Sequence, residues 1–374
     1  MNILKLLKGN IKKPYFFFNE HSGANERQNT EKIVTEFLNC DDERHRETLA
    51  SLIINYSLLP HAKGAEIAPL VGIMNMFELF EQYNYKENRK HLVHQVYTFL
   101  LGLLIYENVE KVRKKIDWEM KSTTNIFSSG DEKGEFLFRW RLASLTHDIG
   151  NGISLFENDV KKINKYIFYL QLLGNEEWGY GYEGVDKLLF LNDGKKSLEV
   201  LDQINGTTFL MRFFNYLRNN PSEAIYYDHG VMSSIILLKL LDHIYTKYRG
   251  RTIEYKGYQV SFKRSFFYNS IIQTAYAIAI HNLDFYPDIV SRIWKTTQLY
   301  DFERKPFCWL LKICDTLQEW NKSRASDEAD YLAPDKIDLQ LESDKIIIKK
   351  YPKKKDLKEK INRYFVAESI IQIN

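Results

Sequence analysis

Cysteine is scarce in this chain of 374 residues, limited to Cys40, Cys308 and Cys314. No two of them form a CxxC pair, and an odd count in so long a chain suits a reducing compartment better than a disulfide scaffold. An excess of charge is missing too. Lys and Arg number 52 against 49 Asp and Glu, a formal net charge of +3. That is too little to argue for nucleic-acid binding by charge alone. No segment has the uninterrupted apolar length of a membrane span. The start, MNILKLLKGNIKKPYFFFNE, holds no apolar run long enough for a signal peptide. Internal repeats and low-complexity tracts are absent as well. The expectation is a cytoplasmic, soluble protein.

What is present is ordinary in bulk and unusual in detail. Hydrophobic residues make up 44% and charged residues 27%, as in a globular chain able to form one large domain or two modest ones. With 24 Tyr and 23 Phe, the interior should be rich in aromatics. Residues 1–30 are polar and basic around an aromatic patch at Tyr15–Phe18, either a docking arm or a surface-packed terminal segment.

Helical spacing of apolar residues runs from about Thr30 to Asn84, clearest in Glu47–Leu59 and Glu66–Tyr83. His91–Tyr106 (HLVHQVYTFLLGLLIY) predicts a core helix, and Glu135–Asp148 another, stopped at Gly150-Asn151-Gly152. Residues 151–225 mix short helical pieces with glycine-rich loops, including Gly179–Gly184, and read as an insertion or lid. Helical periodicity returns at His229–Tyr248, Tyr268–Asn282 and Phe307–Trp320. Lys336–Leu341 and Lys345–Tyr351 then alternate polar and apolar residues about Ser343-Asp344, which predicts a β-hairpin. A basic helix, KKKDLKEKINRYF, follows. The fold class expected is mainly α.

The unusual detail is where the polar residues fall. His91, His94, the doublet His147-Asp148, His229, His281 and Asp315 all lie in or beside apolar helical stretches. Each has an ordinary explanation alone. Asp228 can cap a helix that begins at His229, and His281 can be a helix-end cation facing the carbonyl dipole. His91 and His94 are spaced to share one side of a helix. Together they form a set of imidazoles and carboxylates, the ligand types that suit Mn, Fe, Co, Ni or Zn. A bound cation would also offset the free energy of burying Asp148 and Asp315.

The order His94 … His147-Asp148 … His229 … His281 … Asp315 resembles the HD-domain superfamily of metal-dependent phosphohydrolases. LASLTHDIGNG is similar to the family's HDIGK-type signature, with Asn151 where many members have lysine. DHGVMSS, AIAIHN and LLKICDTLQEW extend the likeness, which covers roughly residues 86–325. It implies a helical bundle over 86–325, which leaves the helical pattern of 1–85 as an N-terminal extension and 326–374 as the hairpin with its basic helix. It also implies that His94, His147, Asp148 and Asp315 bind one divalent ion. His91 competes with His94 for the first place. His229 and His281 would hold a second ion, with Asp148 as the bridge, as in two-metal members such as the HD-GYP phosphodiesterases. The ions, one or two per chain, would be Mn, Mg, Co, Ni, Zn or Fe.

On this resemblance the expected activity is hydrolysis of a phosphomonoester or phosphodiester, with a nucleotide or related small molecule as substrate. His147 and Asp148 would serve the reaction, and Arg139, Arg141, Lys322 and Arg324 would contact phosphate. Two other readings use the same residues: a di-iron oxygenase of the superfamily, and a nucleotide-sensing or partner-binding module whose HD site is structural.

Overall fold

A computed structural model of the chain describes residues 1–11, 24–58, 91–122, 132–151, 228–231, 233–234, 237, 251–255, 258–261, 270–283, 287–294, 299–318, 337–351, 354–365 and 370–374. The helix expected over Glu66–Tyr83, the Tyr15–Phe18 patch, the Gly179–Gly184 loop, Lys322 and Arg324 lie outside them. The protein is mainly α, with a small sheet near its C-terminal end. No helix among the described residues is long and apolar enough to cross a membrane.

The chain divides into two compact units. The first comprises Met1–Thr123, Phe127–Leu145 and Tyr300–Asn374, and the second Thr124–Ile126 and Thr146–Leu299. The helices of the first unit are α1 (Ile3–Ile11), α2 (Ala24–Asn39), α3 (Glu43–Leu58), α4 (His91–Asn108), α5 (Glu110–Ser122) and α6 (Glu132–Thr146, whose last residue opens the second unit). The second unit contains the hairpin β1 (Thr252–Tyr255) and β2 (Tyr258–Ser261), then α7 (Ile272–Ile280) and α8 (Pro287–Trp294). The first unit resumes with α9 (Pro306–Leu317), β3 (Asp338–Leu341), β4 (Ile346–Lys350), α10 (Lys354–Tyr364) and β5 (Ile371–Ile373).

Helix α4 forms the centre of the first unit. It is buried without a break from His91 to Tyr106. A helix apolar on every side is stable only when surrounded, and α1, α3, α5 and α9 all pack on it. Helix α6 joins through aromatic contacts. Tyr106 stacks on Phe136 at 3.9 Å, and Trp140 meets Phe307 of α9 edge-on at 5.9 Å. The Trp140 indole donates its Nε1–H to the carbonyl of Phe99 at 2.9 Å. Gly102 makes this possible, since any Cβ there would overlap the indole ring.

The expected hairpin is present. Strands β3 and β4 are antiparallel, with an irregularity between Asp338 and Leu339. Two features of the sheet were not anticipated from sequence. Strand β5 adds in parallel beside β4, and the N-terminal end pairs with β3 by an Asn2–Asp338 bridge. Ile3 N–H donates to the carbonyl of Ile337 at 3.1 Å, and Leu339 N–H donates to that of Met1 at 3.0 Å. Ile3 and Leu7 of α1 are fully buried, so one side of this helix belongs to the core.

Glu119 of α5 ties the central helices together. Its Oε2 accepts the backbone N–H of Phe307 at 2.9 Å, one of the first-turn donors that a helix cannot satisfy internally. Burial pushes the Glu119 carboxyl up from 4.5 to about 7, against smaller lowering effects from this hydrogen bond and from Arg139 and Lys305. Between about pH 4.5 and about 7 the folded chain therefore holds a proton that the unfolded chain has released. Stability contributed by this group is full at acid pH and falls as pH rises through that window, no more steeply than about 1.4 kcal/mol per pH unit. Glu119→Gln keeps an acceptor oxygen and removes the titration. Urea unfolding midpoints followed from pH 5 to 8 should fall less with pH in this variant than in the wild type.

Candidate metal centre

In the second unit the sequence continues from the end of α6 into His147-Asp148, within a turn. Ile149 N–H donates to the carbonyl of Thr146 at 3.3 Å, and Asn151 N–H to that of Asp148 at 3.0 Å. His147 is fully buried and Asp148 is 3% exposed. Asp148 presents its two carboxylate oxygens to different partners. Oδ2 is 3.7 Å from Nε2 of His147. Oδ1 is 3.4 Å from Nε2 of His229 and 3.9 Å from Nε2 of His281. The two Nε2 atoms of His229 and His281 are 3.2 Å apart. One potential ligand atom from each of His147, Asp148 and His281 lies within 4.8 Å of the others.

The local structure fixes these rings. His281 is the C-cap of α7, and its Nδ1 lies 2.6 Å from the carbonyl of Ile278. A carbonyl only accepts, so Nδ1 carries the proton, and the Nε2 lone pair of a neutral ring is turned toward His229 and Asp148. The helix-end reading of His281 thus describes one ring nitrogen, and the other faces His229 and Asp148. Asp228 caps the helical turn starting at His229: its Oδ1 accepts the N–H groups of Gly230 at 2.9 Å and Val231 at 3.1 Å. Ser233 Oγ donates to the carbonyl of His229 at 2.6 Å and accepts Gly150 N–H at 2.8 Å.

The spacing fits a cation. Ligands about 2.0–2.1 Å from one ion are roughly 2.8–3.0 Å from each other at octahedral angles and roughly 3.3–3.4 Å at tetrahedral ones. The 3.2 Å between the imidazole nitrogens and the 3.4 Å from His229 to Asp148 match that spacing. Two Nε2 lone pairs facing one another across this distance repel unless a proton or a cation lies between them. The buried His147, Asp148 and His281 form a site capable of holding a metal ion, with the half-buried His229 beside them.

In the first unit, Nε2 of His94 lies 3.1 Å from Oδ1 of Asp315, joining α4 to α9. Both are nearly fully buried, at 2% and 5% exposure. His91 starts α4 and is buried at 8% exposure. Arg139, expected to contact phosphate, is 1% exposed, and its Nε donates to Glu135 Oε1 at 2.6 Å. Arg141 is 8% exposed. Two glutamines escaped notice in the sequence. Gln95 beside His94 and Gln318 at the end of α9 are fully buried, and their side-chain amides have no hydrogen-bond partner among the described residues. Ser233, Gly230 and Asn282 were also missed. Only Asp228, as a helix cap, carried a signal in the sequence.

No protein-family model matches the chain, and no curated protein or solved structure matches it.

Gly230 offers a direct check of the packing. A Cβ at this position would lie 2.8 Å from Nδ1 and 2.9 Å from Cε1 of His281, and 2.9 Å from the Ile278 carbonyl oxygen. The ring must move or the helix must shift. Gly230→Ala should lower stability by about 1–3 kcal/mol and weaken Mn²⁺ binding measured by titration calorimetry. An unchanged Mn²⁺ affinity would show that the His281 ring does not take part in binding.

Proposed function

We propose that the protein is a metal-dependent phosphohydrolase acting on a phosphomonoester or phosphodiester, with a nucleotide or related small molecule as substrate. One observation carries the reading: the Asp148 carboxylate divides its oxygens between His147 on one side and His229 with His281 on the other. A carboxylate placed so is suited to bridge two cations. Following the HD-type resemblance, His94, His147, Asp148 and Asp315 would hold one ion, and Asp148, His229 and His281 the other. Mn, Mg, Co, Ni, Zn and Fe all accept this nitrogen and oxygen donor set. When bound, such ions supply Lewis acidity and activate water near neutral pH.

The residues of the chain have four roles in this reading. Burial of Asp148 and His147 keeps bulk water away and strengthens electrostatic interactions. The Ile278 carbonyl holds His281 in the tautomer whose Nε2 carries a lone pair toward Asp148 and His229. Asp228 and Ser233 fix the backbone of His229. Cationic support for the phosphate is assigned to Arg141, Lys322 and Arg324. Arg139 joins them only if its Nε leaves Glu135.

The test is an assay of purified protein with bis-p-nitrophenyl phosphate and a nucleotide panel in Mn²⁺, Mg²⁺, Co²⁺ or Ni²⁺, with metal counted per chain. Turnover with up to two ions per chain is expected. Asp148→Ala should lower activity by more than about 100-fold, since even outer partners of metal ligands change affinity or activity 10–100-fold. No turnover with any metal, together with no bound metal, would refute the proposal. Iron content with oxygen consumption and no phosphate release would favour the oxygenase instead.

A further inference from the structure

The residue before His229 and the residue after His281 are bonded to each other. Asn282 Nδ2 donates to Asp228 Oδ2 at 2.5 Å, across 54 positions of sequence. Asp228 is 3% exposed. Its other oxygen, Oδ1, already accepts the N–H groups of Gly230 and Val231, so the helix cap is complete without Asn282. The additional bond does something the cap does not. It joins the segment carrying His229 to the segment carrying His281, at the positions adjoining the two rings whose Nε2 atoms meet at 3.2 Å. Ser233 links the same histidine segment to the turn after Asp148, through the His229 carbonyl and Gly150 N–H. The ligand atoms of a metal site must be held to within about 0.5 Å to bind well, and the groups behind them provide that constraint.

Resting on the two-ion reading above, we infer that the Asp228–Asn282 hydrogen bond positions His229 and His281 for the second ion and is dispensable for the first. Asp228 and Asn282 are positioning residues: they act on the ion through the histidines beside them. Donor and acceptor are distinguishable here, because a carboxylate cannot donate and only the Nδ2 end of the amide can bond to it.

That asymmetry gives the experiment. Mn²⁺ binding to the full chain is measured by titration calorimetry and by metal analysis after desalting. The variants are Asn282→Ala, Asn282→Asp, and the exchange Asp228→Asn with Asn282→Asp. Circular dichroism and the thermal midpoint of each metal-free protein report folding. Asn282→Asp sets two carboxylates against one another, and Asn282→Ala removes the donor while leaving the Asp228 cap in place. Both should weaken the second Mn²⁺ about 10–100-fold while the first keeps its affinity. The exchange restores a donor–acceptor pair with the roles reversed, and should recover the second ion. Wild-type affinity for both ions in Asn282→Ala overturns the inference. So does equal weakening of both ions, or an exchange variant no better than Asn282→Asp. A wild-type chain that binds no Mn²⁺ overturns the two-ion reading itself, whereas two ions bound regardless of residue 282 overturn only the positioning role.

Discussion

Asp148 is a carboxylate 3% exposed, with imidazoles of His147, His229 and His281 within 3.4–3.9 Å of its oxygens. Removing a carboxylate from water costs several kcal/mol unless positive charge or strong donors replace the lost hydration. Neutral imidazoles that direct lone pairs at it do not supply that. His281 is committed to such a lone pair by its Nδ1–H bond to Ile278. An Nε2–H of His229 or His147, a shared proton or a bound metal ion would each supply it. The surrounding hydrogen bonds from Asp228, Ser233 and Asn282 place the rings rather than neutralise the carboxylate.

His94 and Asp315 of the first unit are a second buried imidazole–carboxylate pair, 3.1 Å apart, and the packing that brings them together is aromatic. Trp140 can approach α4 because residue 102 is glycine, and its indole N–H then satisfies the Phe99 carbonyl. Phe307 packs edge-on against Trp140 and Phe136, and Glu119 takes the Phe307 N–H. These contacts set α9 on the core, and Asp315 is two turns further along α9 than Phe307. The polar pair is thus positioned by side chains with no polar role of their own.

How much was legible in the sequence follows from which signals are local. Helices α4, α6, α7 and α9 were evident because each is an apolar run of helical spacing. The hairpin β3–β4 was evident because alternation and a Ser343-Asp344 turn are neighbours in sequence. Helix α1 was misjudged as a terminal segment: Ile3 and Leu7 are few, and what secures them is pairing with residues 337–339 at the other end of the chain. Strand β5 is three residues long, too short for alternation to show. For the centre, residue type and order marked His147, Asp148, His229 and His281 as ligand candidates. The bond from Asn282 to Asp228 left no trace, since an asparagine after a helix reads as a helix stop and nothing local names its partner.

The cysteines bear on the class of metal. Cys314 directly precedes Asp315, and both Cys308 and Cys314 are free and buried in α9. Thiolates would draw a centre toward zinc or another soft ion. Burial pushes both thiols far above their ordinary range, and the charge of Asp315 pushes Cys314 further in the same direction. Neither thiol belongs to a group of potential metal ligands among the described residues. The donors left are imidazole nitrogen and carboxylate oxygen, a set of intermediate hardness open to exchange between Mn, Fe, Co, Ni and Zn. Selection among these falls to ligand geometry and to metal supply. The hydrogen bonds that fix the His229–His281 spacing are where this chain sets that geometry.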